Sequence, residues 1–275
     1  LRLQAPALAG TLALLLAALL AWGLVPRWRA DQDSADRALQ QRARQAPAAA
    51  RVAAVLPAAQ AHDAISADAR KAYLAKLDEL QRTARSTAPV PARAVALVET
   101  GRVLDEIRQL LNEDIISHGK TQGLETSVLV SQLNASVHKL QLSPHTRLYL
   151  SDPAHYREAL KLDPNGRASV VARYMLLKNH FYDSFADHPL KPFDQGPEVL
   201  KQQIALGESL LAVRDPDIDS EEVHFILAMH YLQAQVGAVL PKAKAQARVA
   251  ALQKVFRARW PASLKLATLD ALAAP

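Results

Sequence analysis

Histidine and carboxylate side chains cluster between residues 180 and 188 of this 275-residue sequence. The spacing of His180, Asp183 and Asp187 would place all three on one side of a helix, beside its apolar face, and His188 follows directly. Imidazole and carboxylate groups arranged in this way bind zinc, iron or manganese. These four residues are therefore a candidate metal site.

Glu221 and His224 form a second pattern with metal chemistry, Glu-x-x-His. A di-iron site in a helical bundle uses two such pairs, and the nearest second pair is Asp152 with His155, whose carboxylate is shorter. A helical metalloenzyme is therefore one interpretation, and the other is that these polar side chains only cap helices or face solvent. The candidate ligands of the metalloenzyme are His180, Asp183, Asp187, His188, Glu221 and His224.

Other catalytic signatures are missing from the sequence. It has no Cys, which excludes disulfides, thiolate metal sites and a cysteine nucleophile. Neither a Gly-x-Ser-x-Gly elbow nor a His-Glu-x-x-His motif occurs, and the nine glycines form no phosphate-binding loop. The sequence predicts no cofactor and favours a binding protein over an enzyme.

Residues 187–197 contain three prolines and predict a long loop. Long loops with charged and aromatic side chains are common binding sites, and an aromatic residue indicates that this loop is ordered. The candidate contacts to a protein partner are Asp187, His188, Leu190 and Phe193.

Positive charge is concentrated at the C-terminal end. The net charge is +6, and residues 242–275 carry seven Lys or Arg against one Asp, which accounts for the whole excess. A basic helix here would contact an acidic protein or anionic lipid, or would simply be a solvated face. Nucleic-acid binding is not expected, because the aromatic residues, 5% of the chain, are not interleaved with the basic ones. The candidate contacts are Lys242, Lys244, Arg248 and Arg257.

Helical periodicity dominates the sequence from residue 62 onward. Apolar residues recur every three or four positions, and prolines separate successive segments. Since no stretch alternates with a period of two, no sheet is expected, and the fold is predicted to be all-α, a helical bundle or an irregular helical repeat. Helices are predicted over residues 66–85, 92–118, 124–140, 153–162, 167–185, 198–213, 220–239, 242–259 and 263–273.

Residues 156–165 read Tyr-Arg-Glu-Ala-Leu-Lys-Leu-Asp-Pro-Asn. This run resembles the end of a tetratricopeptide repeat (TPR), in which the second helix closes on an Asp-Pro-Asn turn. Residues 215–217, Asp-Pro-Asp, repeat the turn, and Pro261 ends a fainter copy. The prolines are 52 and 45 residues apart, whereas the family repeats about every 34 residues, so the resemblance requires insertions. It implies protein binding on a concave helical surface.

Residues 3–26 form an uncharged apolar run between Arg2 and Arg27. A helix of this length reaches about 36 Å and can cross a hydrocarbon core of about 30 Å, so a single membrane span is predicted. Trp22 and Trp28 suit the interfacial ends of a span, whereas the apolar core of a cleavable signal peptide is shorter.

Two observations point to opposite orientations of this span. Five arginines follow it closely and only Arg2 precedes it, which favours a cytoplasmic domain. The run Val-Pro-Arg-Trp-Arg-Ala at residues 25–30, the Ala/Gln/Arg stalk and the run Ala-Arg-Val-Ala-Ala-Val-Leu-Pro at residues 50–57 together resemble the N-terminal anchor of efflux-pump periplasmic adaptor proteins. That resemblance implies a periplasmic domain, and we adopt this orientation.

These patterns divide the chain into an anchor (1–27), a stalk and Ala/Pro linker (28–61), a long helical hairpin (62–142) and a helical, TPR-like domain (143–275). The predicted protein is a single-pass bacterial inner-membrane protein. Tethering raises the local concentration of a weak binder, so such a domain needs no catalytic residues. We therefore expect its soluble domain to bind other proteins, as an assembly or scaffold subunit of an envelope or secretion complex.

Overall fold

The structure is a computed structural model, and it describes residues 65–118, 128–136, 138, 140–187 and 196–273. The predicted membrane span and stalk lie outside these ranges, as do three predicted binding residues, His188, Leu190 and Phe193. Within the described ranges, no helix combines the length and apolar character needed to cross a membrane.

The described part of the chain is mostly helical, as the sequence predicts, with one pair of very short strands. Its helices are α1 (Ala67–Arg85), α2 (Val90–His118), α3 (Val128–Asn134), α4 (Ala154–Leu162), α5 (Arg167–Asp187), α6 (Pro197–Leu210), α7 (Ser220–Val236), α8 (Lys242–Arg259) and α9 (Leu264–Ala273). The strands are β1 (Gln141–Leu142) and β2 (Tyr149–Leu150).

Side-chain caps and prolines set several helix starts. The Ser66 Oγ atom accepts a hydrogen bond from the Ala69 amide at 3.2 Å and begins α1. The Asp219 carboxylate accepts one from the Glu222 amide at 3.1 Å and begins α7. α6 begins with a proline at its first position, where the missing N–H costs nothing. These local signals explain why the predicted starts lie close to the observed ones.

The expectation of no sheet is wrong. β1 and β2 pair antiparallel, with Gln141 opposite Leu150 and Leu142 opposite Tyr149. The Asn112 side chain on α2 attaches β2, because it donates to the Tyr149 carbonyl at 2.9 Å and accepts from the Tyr149 amide at 2.7 Å. Two residues per strand are too few to show a period of two in the sequence.

The helix predicted over residues 124–140 is also wrong in extent, since α3 ends at Asn134. Polar side chains replace the helical hydrogen bonds after that point. The Asn134 Oδ1 atom accepts from the Leu140 amide at 3.1 Å, and the Ser136 Oγ atom accepts from the His138 amide at 3.0 Å. Asn and Ser compete in this way with helix formation, and here the competition ends the helix.

α1 packs against α2, each helix from α4 to α9 packs against the next along the chain, and α2 additionally packs against α4 and α5. One buried cluster extends through α5, α6, α7, α8 and α9. A second cluster lies between α1, α2, α3 and β2. A third lies between α2, α4 and α5. In α7 every residue from Glu222 to Tyr231 is buried, so this helix has protein on all sides.

α2 and α4 approach closely at Gly101. A Cβ atom built there would lie 2.5 Å from the Tyr156 ring, a distance at which atoms overlap. The glycine therefore allows the Tyr156 ring to pack closely against α2, where its hydroxyl donates to the Asp105 Oδ2 atom at 2.7 Å.

Candidate functional site

A polar cavity of about 390 Å³ lies where α4, α5 and α6 meet the β1–β2 hairpin. His180, Asp183 and Asp187 all line it, so these three predicted residues do share one side of α5. The cavity is also lined by Arg157, Gln202 and Gln203.

Asp183 forms the floor of this cavity, and a buried ion network lies behind it. The Asp183 Oδ1 atom lies 3.3 Å from the Arg108 Nη1 atom, and the Arg108 Nε atom lies 3.4 Å from the Asp105 Oδ1 atom. The second Asp183 oxygen accepts from the Ser151 amide at 3.0 Å and from the Ser151 hydroxyl. Burial raises the pKa of Asp183, and the charge of Arg108 opposes that rise.

Asp105 connects this network to α4 and to a second residue of α5. Besides the Tyr156 hydroxyl, it accepts a hydrogen bond from the Asn179 Nδ2 atom at 2.6 Å. Burial, together with the charge of Asp105, raises the pKa of Tyr156 far above its usual value, so the phenol stays protonated. The floor is therefore fixed by α2, α4 and α5 together.

His180 lies on the wall of the cavity, with His230 of α7 behind it. Their ring centroids are 6.3 Å apart. Burial, and then the nearby charge of Arg157, lowers the pKa of His180 to about 4. Burial, and then His180, lowers the pKa of His230 to about 3. Both imidazoles are therefore neutral at pH 7, and His180 presents one donor and one acceptor nitrogen.

Glu221 and His224, the other predicted metal ligands, lie elsewhere. The Glu221 carboxylate accepts from the Ser263 hydroxyl at 2.5 Å, which connects α7 to the start of α9. His224 contacts its own helix through the Ser220 carbonyl at 2.6 Å, and its ring packs against Trp260. These two residues support the contact of α7 with the C-terminal helices and do not join the cavity.

Asp187 is held by the Ser143 hydroxyl, which donates to its Oδ1 atom at 2.6 Å. The second predicted pair, Asp152 and His155, lines a different cavity of about 250 Å³, where a His155 nitrogen lies 3.3 Å from a nitrogen of His138. Among the described residues, no group of three or more His, Cys, Asp or Glu is arranged to hold a metal ion.

The basic helix, α8, has the bounds that the sequence predicts, residues 242–259. Its buried side includes Val249, Leu252 and Phe256. At its two edges, Arg248 lies 3.6 Å from Glu208 and Arg257 lies 2.7 Å from Asp270. The outward lysines, Lys242, Lys244 and Lys254, are exposed and form no ion pair with any described residue.

Sequence reasoning missed Arg157 and Gln203 as site residues. Arg157 is an ordinary exposed residue of an amphipathic helix, and Gln203 lies in the middle of α6. Only the packing of α4 and α6 around α5 brings them to His180. Comparison of the whole chain with known protein families, curated proteins and solved structures finds no match.

Proposed function

We propose that this chain is a single-pass bacterial inner-membrane protein whose helical domain binds other proteins, as an assembly or scaffold subunit of an envelope or secretion complex. The uncharged run at residues 3–26 supports the anchor. The similarity of residues 25–57 to periplasmic adaptor anchors supports placing the domain in the periplasm.

The observation that carries the binding proposal is the outward face of α8. Lys244 and Lys254 lie on this face among alanines, Ala247, Ala251 and Ala258, all of them exposed. Small side chains let a partner approach the helix closely, and the lysines attract acidic side chains at its borders. The face is therefore suited to an acidic protein surface.

A protein suits this face better than a lipid surface does. Helices that lie in a membrane interface insert large apolar side chains such as Trp, Phe and Leu. The largest apolar side chains of α8, Leu252 and Phe256, are instead buried in the core. Trp260, at the helix end, packs on Phe256 and lies under the Arg259 guanidinium. No large apolar residue of α8 is left to insert into lipid.

The packing of successive helices supports a helical-repeat form of this domain. Each helix from α4 to α9 packs on the next along the chain. The Asp163 turn that resembles a TPR end is present, with the Gly166 amide donating to the Asp163 carbonyl at 3.3 Å. The TPR-like architecture belongs to this proposal, and it agrees with a protein-binding role.

Site-specific crosslinking in native membranes tests the proposal, because the chain has no cysteine and every introduced cysteine is unique. A photoreactive label at Ala251→Cys, on the outward face of α8, is expected to crosslink a protein. The matched control is Ala75→Cys, an exposed alanine of α1, which should give no such product. Adding Lys244→Glu and Lys254→Glu should reduce the Ala251 crosslink at least tenfold.

The control for that charge reversal is Lys71→Glu with Lys161→Glu, two exposed lysines on other helices. This variant should leave the crosslink unchanged. A label that reacts only with lipid, or a protein crosslink that survives the reversal at Lys244 and Lys254, would contradict an acidic protein partner.

The metalloenzyme interpretation has weaker support. It needs Glu221 and His224 beside His180, whereas the structure places the first two at the contact with α9 and the third at the cavity. Metal analysis of the purified chain would favour it only if iron, zinc or manganese were stoichiometric and were lost on both His180→Ala and His224→Ala.

A further inference from the structure

We propose that the cavity between α4, α5, α6 and the hairpin binds a small organic anion that carries hydroxyl groups, with Arg157 holding its acidic group. This inference goes beyond protein binding through α8 and does not depend on it. It rests on which polar groups of the cavity already have partners within the described residues and which do not.

The carboxylates of the cavity are already engaged. Asp183 accepts hydrogen bonds from Ser151 and faces Arg108, and Asp187 accepts from the Ser143 hydroxyl. The positive charge of Arg108 offsets the negative charge of Asp183, and the Ser143 hydroxyl occupies one oxygen of Asp187. The carboxylates therefore shape the cavity and leave recognition to other groups.

Arg157 is the free charge at this cavity. Its guanidinium forms no hydrogen bond or ion pair with any described residue, although it lies close enough to His180 to lower that pKa. A guanidinium offers five N–H donors in a planar fork that matches a carboxylate or a phosphate. The free donors of Arg157 therefore suit an anion.

Gln203 supplies the complementary feature. Its Oε1 atom is buried and has no hydrogen-bond partner among the described residues. A buried amide oxygen without a partner costs free energy, and rotation of the Gln203 amide towards the cavity would let a ligand hydroxyl provide the missing hydrogen bond. The neutral His180 ring, which also forms no hydrogen bond within the described residues, can donate to or accept from a second hydroxyl.

The cavity has a suitable size and a rigid floor. A volume of about 390 Å³ lies within the range of about 300–1,000 Å³ that ligand pockets occupy. Asp105, Arg108 and Asp183 hold the floor before any ligand arrives, so binding need not order these side chains. A hydroxylated carboxylic acid or a sugar phosphate has both the size and the chemistry required.

Calorimetric titration of the purified full chain in detergent tests the proposal with three probes: gluconate, glucose 6-phosphate and glucose. At least one of the two anions is expected to bind, and glucose should bind at least tenfold more weakly. Gluconate and glucose 6-phosphate distinguish a carboxylate from a phosphate as the acidic group. The proposal is overturned if neither anion binds up to about 10 mM, where a ligand with a Kd of about 1 mM is largely bound, or if glucose binds equally well.

Two variants assign the binding to the cavity. Arg157→Gln should weaken the anion at least tenfold, whereas Lys161→Gln, which removes an exposed charge one turn further along α4, should leave the affinity unchanged. Gln203→Leu should weaken binding without lowering the thermal midpoint of the free protein, because it removes a buried oxygen that has no partner. Equal affinities of the wild type and both cavity variants would place the anion elsewhere and overturn the proposal.

Discussion

Burial keeps the imidazoles of His180 and His230 neutral in the folded protein, while both would titrate near pH 6.5 in the unfolded chain. Above that pH both states are neutral, and these groups have no effect on stability. As the pH falls from about 6.5 towards 4, the unfolded chain takes up protons that the native protein does not. The contribution of these two histidines to the free energy of unfolding should therefore become more unfavourable with falling pH in that window.

The prediction for His180 alone is a loss of about 2 kcal/mol between pH 7.5 and pH 5, which follows from its pKa of about 4. Urea unfolding followed by circular dichroism at both pH values measures it. His180→Gln should reduce the pH dependence by that amount. An unaltered pH dependence in His180→Gln would show that this ring is not held neutral by the fold.

Protonation of Asp183 changes the free energy of unfolding in the opposite direction. The contribution of His180 therefore has to be measured by comparing the wild type with a variant. Burial raises its pKa in the native state, so the folded protein takes up this proton before the unfolded chain does. The pH dependence of the wild type is thus a sum of opposing contributions. Only the difference between wild type and His180→Gln isolates the histidine.

Residue spacing predicted part of the candidate site and no more. The i, i+3 and i+7 positions of His180, Asp183 and Asp187 placed them on one helix side, and the cavity confirms that. The spacing could not show that Ser151 and Arg108 would contact Asp183, because those two residues come from other elements. Long-range partners decide whether a carboxylate is free to bind a ligand, and a single sequence does not contain that information.

At the scale of elements, local signals predicted helix positions well wherever a cap or a proline marked the boundary. α8 has the predicted bounds, and α1 begins one residue after its predicted cap. The errors lie where side chains satisfy backbone groups over longer distances, as Asn134 does for Leu140 and Asn112 does for β2. Propensity and periodicity describe neighbours in the chain and miss such bonds.

Gly101→Ala tests the contact between α2 and α4. Alanine is the better helix former by about 1 kcal/mol, so an unhindered site would be stabilised. Here the new methyl group would overlap the Tyr156 ring, and overpacking of this kind costs about 1–3 kcal/mol. We expect net destabilisation of about 1–2 kcal/mol, measured by urea unfolding.

The control for that variant is Gly237→Ala, at the end of α7. Its Cβ would meet neighbours at 3.4 Å and 3.6 Å, which are ordinary contact distances, and its φ of −78° suits any residue. Its stability should stay within about 0.5 kcal/mol of the wild type. If Gly101→Ala proved as stable as the wild type, α2 and α4 would not be packed as closely as described.

At the scale of the whole molecule, we predict that the chain is anchored in the membrane and that its helical domain lies on the periplasmic side. If residues 3–26 span the bilayer, the chain should stay in the membrane fraction after a high-salt wash, because burial of an apolar helix is insensitive to salt. Deletion of these residues should release it. A reporter fused after Pro275 should be active only when it is one that functions in the periplasm.

Two outcomes would contradict that prediction in different ways. Release of the intact chain by salt would show electrostatic attachment in place of a span. A reporter active only in the cytoplasm would keep the anchor but reverse the orientation, as the arginines after the span would suggest.

The position of α7 has a consequence for how the protein is made. α8 and α9 both pack on this helix, yet α9 begins 28 residues after α7 ends. At a translation rate of about 5–20 residues per second, α7 leaves the ribosome roughly 1–6 s before its last covering helix. During that interval the side of α7 that α9 covers is exposed, and we expect a nascent chain in this state to recruit chaperones or to associate with its neighbours. Slowing translation before α7 and hastening it afterwards should therefore raise the yield of folded protein.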